Sequence, residues 1–419
     1  MTVAGLSAGV EAIQAGPPRR RRLTPARVTL VLAAAFVVVS LVRVGTHATD
    51  LTSSGTIGAA LALAVPIALA GLGGLWAERA GVVNIGLEGM MVLGTWGAAW
   101  QGYSHGPWVG ALAGIGFGAA GGLIHALATV TFGVDQIISG VAVNLIAPGL
   151  ALFLTKLVFA KIPGGGQKQS PPLTDVKHVT VPGIASGLES IEDKHWFLLS
   201  DLAGVVRGVT YQLSLFVVLT VVVFVLSWYL LWRTSFGLRL RSCGEAPHAA
   251  ESLGVNVYRY KYAAVVVSGA VAGLGGAVLS ISSGSFRDGQ TGGRGFIGLA
   301  AMIFGNWRPG GLAIGSGLFG FTDALQSRGS TAVHALLLLL GIALLALAVV
   351  QWLAGRRVLA VVALALGAIF ILWFSVTSAL PSELVGATPY VVTLLVLALA
   401  SQRLRMPAAD GRPYRRGEE

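Results

Sequence analysis

Charge is what this sequence most lacks. Asp, Glu, Lys and Arg make up 11% of its 419 residues, whereas a soluble globular domain carries about 25%. Hydrophobic residues reach 54%, and the mean hydropathy is +0.76. So few charges cannot cover the water-facing surface of a soluble protein with a chain of this length. Much of the surface must therefore face lipid. The 58 glycines agree with this, because glycine is more frequent in membrane helices than in soluble ones.

Cysteine is almost absent too, and the signatures of several enzyme classes are missing. Cys243 stands alone, which excludes a disulfide framework and a cysteine zinc site. A nucleotide-binding P-loop needs Gly-Lys followed by Ser or Thr, and no lysine here follows a glycine. The seven histidines are scattered, with His125 alone clearly inside an apolar run. We therefore expect no enzymatic activity, no cofactor and no metal in this chain.

The cations are clustered beside the apolar runs. The net charge is +11, which in a soluble protein would suggest nucleic acid as a partner. The clusters are Arg19 to Arg22, Arg233 with Arg239 and Arg241, Arg356 with Arg357, and Arg403 to Arg416. Because cytoplasmic loops of membrane proteins are marked in this way, we expect membrane lipid rather than nucleic acid around the protein.

The apolar runs predict an all-α fold, a polytopic bundle of about 10–12 membrane-crossing helices. A helix needs roughly 20 mostly apolar residues to cross the bilayer. The candidate spans are 27–45, 55–76, 86–104, 108–131, 136–158, 211–231, 261–283, 332–352, 358–376 and 386–401, and 295–327 is read as two short crossing helices. The first span lacks a cleavage pattern after it, so we interpret it as a retained helix rather than a signal peptide.

Three regions follow from these spans. They are a basic N-terminal tail (1–26), a transmembrane domain (27–401) and a basic C-terminal tail (402–419). An even number of crossings places both termini in the cytoplasm. The basic loop 232–260 is then cytoplasmic, and the long polar stretch at about 160–208 is extracellular.

Small residues recur every four positions in two of the spans. Gly114, Gly118 and Gly122 form one stripe, and Gly269, Gly273 and Ala277 form another. Such stripes allow helices to approach closely in lipid. We expect them to mediate helix packing rather than transport.

Residues 78–91 carry polar groups into an apolar region. Ionisable side chains inside a span are costly and by default indicate function. Asn84 and Glu88 are four apart, so a continuous helix would place them on one face. The nearby glycines favour a broken helix, the feature in which transporters place substrate sites. The alternative is that Glu88 pairs with a basic residue such as Arg79 and stabilises the architecture.

Asp135, Gln136 and Asn144 form a second polar group at the start of a span, with Asn144 on the helical face of the other two. Ribose hydroxyls and base edges need hydrogen-bond donors and acceptors, and aromatic rings can stack on bases. Phe286, Trp96 and Trp307 are available, although most tryptophans are better explained as interface anchors. The predicted substrate pathway comprises Asn84, Glu88, Asp135, Gln136, Asn144 and Phe286.

A short helix is predicted in the loop at 244–256. Pro247 and Gly254 bracket it, since proline favours helix starts and glycine the position after helix ends. On a cytoplasmic face such a helix suits docking to a cytosolic partner. An ordinary surface loop is the alternative.

Three stretches of the sequence carry a resemblance to a known family. They are ERAGVVNIGLEGMM (78–91), GEAPHAAESLGVNVYRYKY (244–262) and RGFIGLAAMIFGNWRPGG (294–311). They resemble the permease subunits of nucleoside ABC importers of the basic membrane protein class. These are related to ribose and branched-chain amino-acid permeases. The resemblance extends over most of residues 55–350. The basic N-terminal tail and the spans after 355 depart from it.

The resemblance implies a permease of the bacterial plasma membrane that imports nucleosides. ATP would be hydrolysed by a separate ABC ATPase subunit, a second permease subunit would complete a heterodimer, and a lipoprotein would deliver the substrate. The coupling residues would be Glu245, Pro247, Ala249, Ala250, Leu253 and Gly254. A sugar such as ribose is an alternative cargo. A further alternative is an ion-coupled carrier that uses Glu88, Asp135 and Asp323, although such a carrier needs no cytosolic docking helix.

Overall fold

The structure is a computed structural model that describes residues 25–381, 383–388 and 404–416. Besides a helical stretch at 383–388, this described part contains the helices α1 (Pro25–Thr46), α2 (Ser54–Arg79), α3 (Leu87–His105), α4 (Pro107–Ala126), α5 (Gln136–Val158), α6 (Ile184–Glu192), α7 (Leu199–Gly208), α8 (Leu215–Arg233), α9 (Ser235–Glu245), α10 (Pro247–Ser252), α11 (Val257–Ser282), α12 (Arg294–Phe304), α13 (Pro309–Ser327), α14 (Ser330–Leu353) and α15 (Arg357–Val376). A π-turn at Leu127–Thr131 extends α4, and Thr49–Leu51 is a 3-10 turn. Two short strands, β1 (His178–Val179) and β2 (Leu213–Ser214), pair antiparallel.

The prediction of a polytopic helical membrane protein is confirmed. Among the described residues, seven helices are long and apolar enough to cross a bilayer: α2, α4 with its π-turn, α5, α8, α11, α14 and α15. Helices α3 and α13 have 19 residues each, about 28 Å at 1.5 Å per residue, but are less apolar. The candidate span at 386–401 and the N-terminal tail lie largely outside the described residues, so the count of 10–12 crossings stays a prediction.

Helix α11 is central to the bundle. In the most apolar 18-residue stretch of α11, 72% of the residues are buried. The buried share of the corresponding stretch is 67% in α2 and 17% in α15. Helices α2, α3 and α4 surround α11, whereas α14 and α15 pack mainly on each other, with Gly341 against Gly367. The core is therefore formed by α2, α3, α4 and α11, and the α14–α15 pair is peripheral.

The two predicted small-residue stripes pack against each other. A Cβ added at Gly118 would lie 2.5 Å from the Cα of Gly273, and one added at Gly114 would lie 2.7 Å from the Cβ of Ala277. Gly122 faces Gly269 in the same way. Helices α4 and α11 are thus in backbone contact, as expected for helix packing in lipid.

The predicted break in the first polar stretch is also confirmed. Helix α2 ends at Arg79, α3 begins at Leu87, and Gly81 between them has a φ of +78°, a conformation that glycine adopts without steric cost. Asn84 therefore lies in the non-helical connection rather than on a helical face shared with Glu88. That expectation was wrong because the chain leaves the helix before Asn84.

The two ends of the bundle carry different structures. At one end, α6 and α7 pack on the α1–α2 connection through Asp201, which lies 2.7 Å from Arg43 and accepts a hydrogen bond from Thr52. At the other end, α9, α10, the α12–α13 turn and residues 404–416 lie together. These are the ends that the sequence assigned to the outside and the cytoplasm.

Candidate substrate pathway and coupling surface

Glu88 caps a half-length helix. Its Oε1 accepts a hydrogen bond from the backbone N–H of Gly293 at 2.9 Å, and its Oε2 accepts one from Gly295 at 2.6 Å. The first N–H groups of a helix have no partners within the helix and attract negative charge. Glu88 thus stabilises the start of α12, which has only 11 residues.

The suggested pairing of Glu88 with Arg79 was wrong. Arg79 donates two hydrogen bonds to the carbonyl of Trp307, at 3.0 Å and 2.6 Å. Trp307 also donates from Nε1 to Glu78 at 2.5 Å. Arg79 and Glu78 therefore hold the α12–α13 turn, at the opposite end of α12 from Glu88.

The second polar group supports the broken connection. Asn144 accepts from the N–H of Gly89 at 2.7 Å and donates to the carbonyl of Ile85 at 2.9 Å. Gln136 accepts from the N–H of Val83 at 2.6 Å. These contacts satisfy backbone groups that would otherwise be unpaired in an apolar environment. Gln136 and Asn144 do face the same segment, as the spacing indicated.

Asn84 lies near the middle of the bundle. It donates to the hydroxyl of Ser268 at 2.8 Å, and Ser268 is about 16 Å from the start of α11 and about 21 Å from its end. The Oδ1 of Asn84 is buried with no hydrogen-bond partner among the described residues. Asp135, in contrast, is exposed and caps α5 through the N–H groups of Ile137 and Ile138. The predicted pathway residues therefore do not all meet.

A cavity of about 260 Å³ brings two of them together. It is lined by Glu88, Val92, Thr95, Pro148, Phe286 and residues 287–293. Gln290 is the residue that the sequence reasoning missed: its Oε1 accepts from the N–H of Arg287, while its Nε2 is buried without a partner in the described part of the chain. No motif marked it, because only the folded 283–293 connection brings it beside Glu88.

A second cavity of about 190 Å³ adjoins the first through Gly292. Asp323 and Arg294 form an ion pair there at 2.7 Å, with Gln326 alongside. Trp96 and Trp307 border neither cavity: Trp96 stacks on Trp100, and Trp307 lies in the α12–α13 turn.

The short helix predicted in the loop at 244–256 is present as α10. Pro247 is at its first position, and Gly254 after it has a φ of +80°. Leu253 is 85% exposed, whereas Ala250 is 3% exposed and packs against Cys243 and Val257. Ala249 and Glu245 are exposed, and Glu245 lies 3.9 Å from Arg79. Leu253, Ala249 and Glu245 are therefore available to a partner, and Ala250 supports the helix from within.

The model of the branched-chain amino acid transport system / permease component family matches residues 56–348, which is most of the chain and includes the cavity and α10. The chain belongs to this family of ABC transporter permeases. It is a transport subunit with several membrane spans, rather than an enzyme. No solved structure matches the permease significantly.

Several named ABC transporter permeases are similar to this chain. The guanosine ABC transporter permease protein NupQ of Bacillus subtilis is 39% identical over 65% of this chain and 82% of that protein. The nucleoside ABC transporter permease protein NupC of Lactococcus lactis is 34% identical over 84% of this chain and 94% of that protein. TsgC13 of Haloferax volcanii, provisionally named a glucose ABC transporter permease protein, is 35% identical over 66% of this chain and 78% of that protein.

Proposed function

We propose that this permease imports nucleosides as the membrane-spanning part of a bacterial ABC importer in the plasma membrane. The observation that carries the proposal is the similarity to NupC over 94% of that protein. The similarity to NupQ, whose name specifies guanosine, agrees with it.

The chemistry of the larger cavity suits a nucleoside. Its volume of about 260 Å³ is close to the lower end of small-molecule sites, about 300 Å³. Phe286 offers an apolar ring edge to a base, and the unpaired Nε2 of Gln290 can donate to a carbonyl or ring nitrogen. Thr95 and Asp288 add further groups for ribose hydroxyls. The site thus combines apolar and polar contacts on one small ligand.

Helix α12 connects this cavity to the docking surface. Its first turn is held by Glu88 at the cavity, and the turn after it is held by Arg79, which also faces Glu245 near α10. Its length is about 16 Å. Movement of α10 on a partner would therefore change the position of α12 and the shape of the cavity, which is what alternating access requires.

Membership of the permease family and the exposed side of α10 support the following partners. An ABC ATPase subunit docks on α10 from the cytoplasm, where both termini lie, and supplies the energy. A second permease subunit, a different chain, pairs with this one, and a lipoprotein delivers nucleoside at the end that carries residues 160–208. Of the predicted coupling residues, Leu253, Ala249 and Glu245 make the direct contacts, and Pro247, Ala250 and Gly254 shape the helix.

Sugar import is the second candidate, favoured by the similarity to TsgC13. The ion-coupled carrier has no support in the geometry. Glu88 and Asp135 cap helices, and Asp323 pairs with Arg294. These contacts give all three carboxylates structural roles in the fold.

Uptake by the reconstituted transporter tests the cargo. Proteoliposomes that contain this permease, its second permease subunit, the ATPase and the binding lipoprotein are given labelled guanosine, other nucleosides, ribose or glucose. We expect ATP-dependent uptake of nucleosides, and weaker uptake in Gln290→Ala than in the matched control Gln167→Ala, since Gln167 is exposed. Uptake of sugars but not of nucleosides would overturn the assignment.

Co-purification tests the docking surface. Leu253→Asp should lose the ATPase subunit while it inserts normally, because a charge replaces the most exposed apolar side chain of this region. Asn256→Asp is the control: it adds the same charge three residues away and keeps the helix cap. Retention of the ATPase by Leu253→Asp would show that α10 is not the docking helix.

A further inference from the structure

The C-terminal segment, residues 404–416, lies against the docking surface. Its backbone N–H groups donate from Ala409 to the carbonyl of Gly244 at 2.9 Å and from Ala408 to Glu245 at 3.2 Å. Arg405 donates from its backbone to Asn306, in the α12–α13 turn, at 2.8 Å. The segment therefore contacts both α9 and the turn that Arg79 holds. It lies beyond the part of the chain that matches the family, which ends at residue 348.

Tyr414 covers the inner face of α10. It is 8% exposed and packs in one apolar cluster with Cys243, Ala250 and Val257. Its hydroxyl donates to Oε2 of Glu251 at 2.5 Å. Arg416 lies 2.9 Å from Oε1 of the same carboxylate. Both oxygens of a single α10 side chain are thus bound by the C-terminal segment.

Asp410 anchors the same segment to the bundle. Its side chain is buried and faces Glu78 and Arg79 at the end of α2 and Lys261 near the start of α11. Burying a carboxyl group is costly unless charges and hydrogen bonds compensate. Lys261 itself is buried and donates to the carbonyl of Gly81 at 3.3 Å. A polar group buried in this way specifies one position for the segment on the inner end of the bundle.

We propose that the C-terminal segment positions α10 for the ATPase subunit, with Tyr414 and Asp410 as the positioning residues. This rests on the proposed role of α10 as the docking helix. Helix α10 has six residues, too few to be stable without tertiary contacts. Its exposed side presents Leu253, so the orientation of Leu253 depends on what holds the opposite side. The structure shows that Tyr414 and Glu251 hold it.

The single thiol of the chain reports on this contact. Cys243 is fully buried in the cluster with Tyr414. Maleimide labelling of Cys243 in the full-length permease, purified without the ATPase subunit, should therefore be slow for the native sequence. In Tyr414→Ala it should be faster by about ten- to a hundredfold, because a buried contact and a hydrogen bond to a charged group are lost.

Coupling is measured on the same variants. We expect Tyr414→Ala to insert normally but to lose ATPase co-purification, with a lower maximal uptake rate and an unchanged half-saturating nucleoside concentration, because the cavity is not altered. Tyr414→Phe keeps the ring and should retain most of the ATPase binding and most of the uptake rate. Arg412→Ala is the control on an exposed position of the same segment. Should Tyr414→Ala insert poorly, Glu251→Ala removes the same hydrogen bond from the α10 side.

Two results would overturn the proposal. One is unchanged labelling of Cys243 in Tyr414→Ala, which would show that the segment does not cover α10. The other is rapid labelling with normal ATPase binding and uptake, which would show that the cover does not position the helix. The docking role of α10 is tested separately, by the binding of the ATPase subunit to Leu253→Asp. The labelling of Cys243 tests only whether the C-terminal segment covers α10, so its result does not depend on the docking role.

Discussion

Helix α11 is held by two different kinds of contact. In its middle, glycines of α11 meet glycines of α4, and the backbones touch without any polar side chain between them. Near its start, Lys261 is buried beside Asp410 and the carbonyl of Gly81. The first contact depends on shape and tolerates almost no change, because packed interiors resist added volume. The second depends on charge and can be altered by a single proton or partner. Rigid support thus lies in the middle of the bundle, and adjustable support lies beside the docking surface.

The largest expected effect comes from breaking the glycine contact. Gly118→Leu would place a side chain into Gly273 and Gly269, and we expect a loss of at least about 3 kcal/mol in the free energy of unfolding. Gly116→Leu is a matched control on the same helix, since no atom lies within 4 Å of its added Cβ. The stability of the two variants is compared by the yield of monodisperse protein and by the midpoint of thermal unfolding in detergent. Equal stability of the two variants would contradict close packing of α4 on α11.

Breaking the charged contact should cost less. Lys261→Met removes the cation next to Asp410, and we expect a loss of about 1–3 kcal/mol in the free energy of unfolding. Arg259→Met, two residues earlier and exposed, should change stability by less than about 0.5 kcal/mol. Thermal unfolding of the two variants decides this. A similar small effect of both would show that the buried lysine makes no net contribution.

A change of pH should produce the smallest effect, and only at the charged contact. Burial raises the pKa of the Asp410 carboxyl to about 7, with Glu78, Lys261 and Arg79 around it. A raised carboxyl pKa means that the docked segment holds the proton more tightly than the released one. Docking is therefore favoured at low pH and weakens as the pH rises through 7, by about tenfold between pH 6 and pH 8.

The ratio of Cys243 labelling in the native permease to that in Asp410→Asn measures this effect. Burial raises the pKa of the Cys243 thiol to about 11, and the ratio removes the pH dependence of the thiol itself. The ratio should rise with pH. A ratio that does not change between pH 6 and pH 8 would exclude Asp410 as the titrating group.

The sequence predicted those features that depend on local pattern. Among the described residues, hydropathy located the apolar helices to within a few residues. The four-residue spacing of small residues indicated close helix packing, and the glycines after Arg79 marked the broken connection. Pro247 and Gly254 bracketed α10 because each residue has a local conformational preference. These signals depend on neighbouring residues, so one sequence suffices to read them.

Contacts between distant parts of the chain could not be predicted. Glu88 meets Gly293 and Gly295 about two hundred positions away, and nothing in the motif around Glu88 indicates a helix start as its partner. Ala250 was predicted to contact the ATPase, but Tyr414 of the C-terminal segment contributes to its burial. The side chain of Gln290 borders the cavity only because the connection after α11 folds back toward α3. Each of these depends on the tertiary fold.

The peripheral position of α14 and α15 has a consequence for the permease in different membranes. Both helices pack mainly on each other, and most of their surface is not buried by the described part of this chain. A bilayer of unusual thickness is accommodated by tilting of helices that few protein contacts restrain. This pair can therefore absorb hydrophobic mismatch, while the glycine-packed helices α4 and α11 keep their angles. Transport activity should accordingly be little affected by the acyl-chain length of the surrounding lipid.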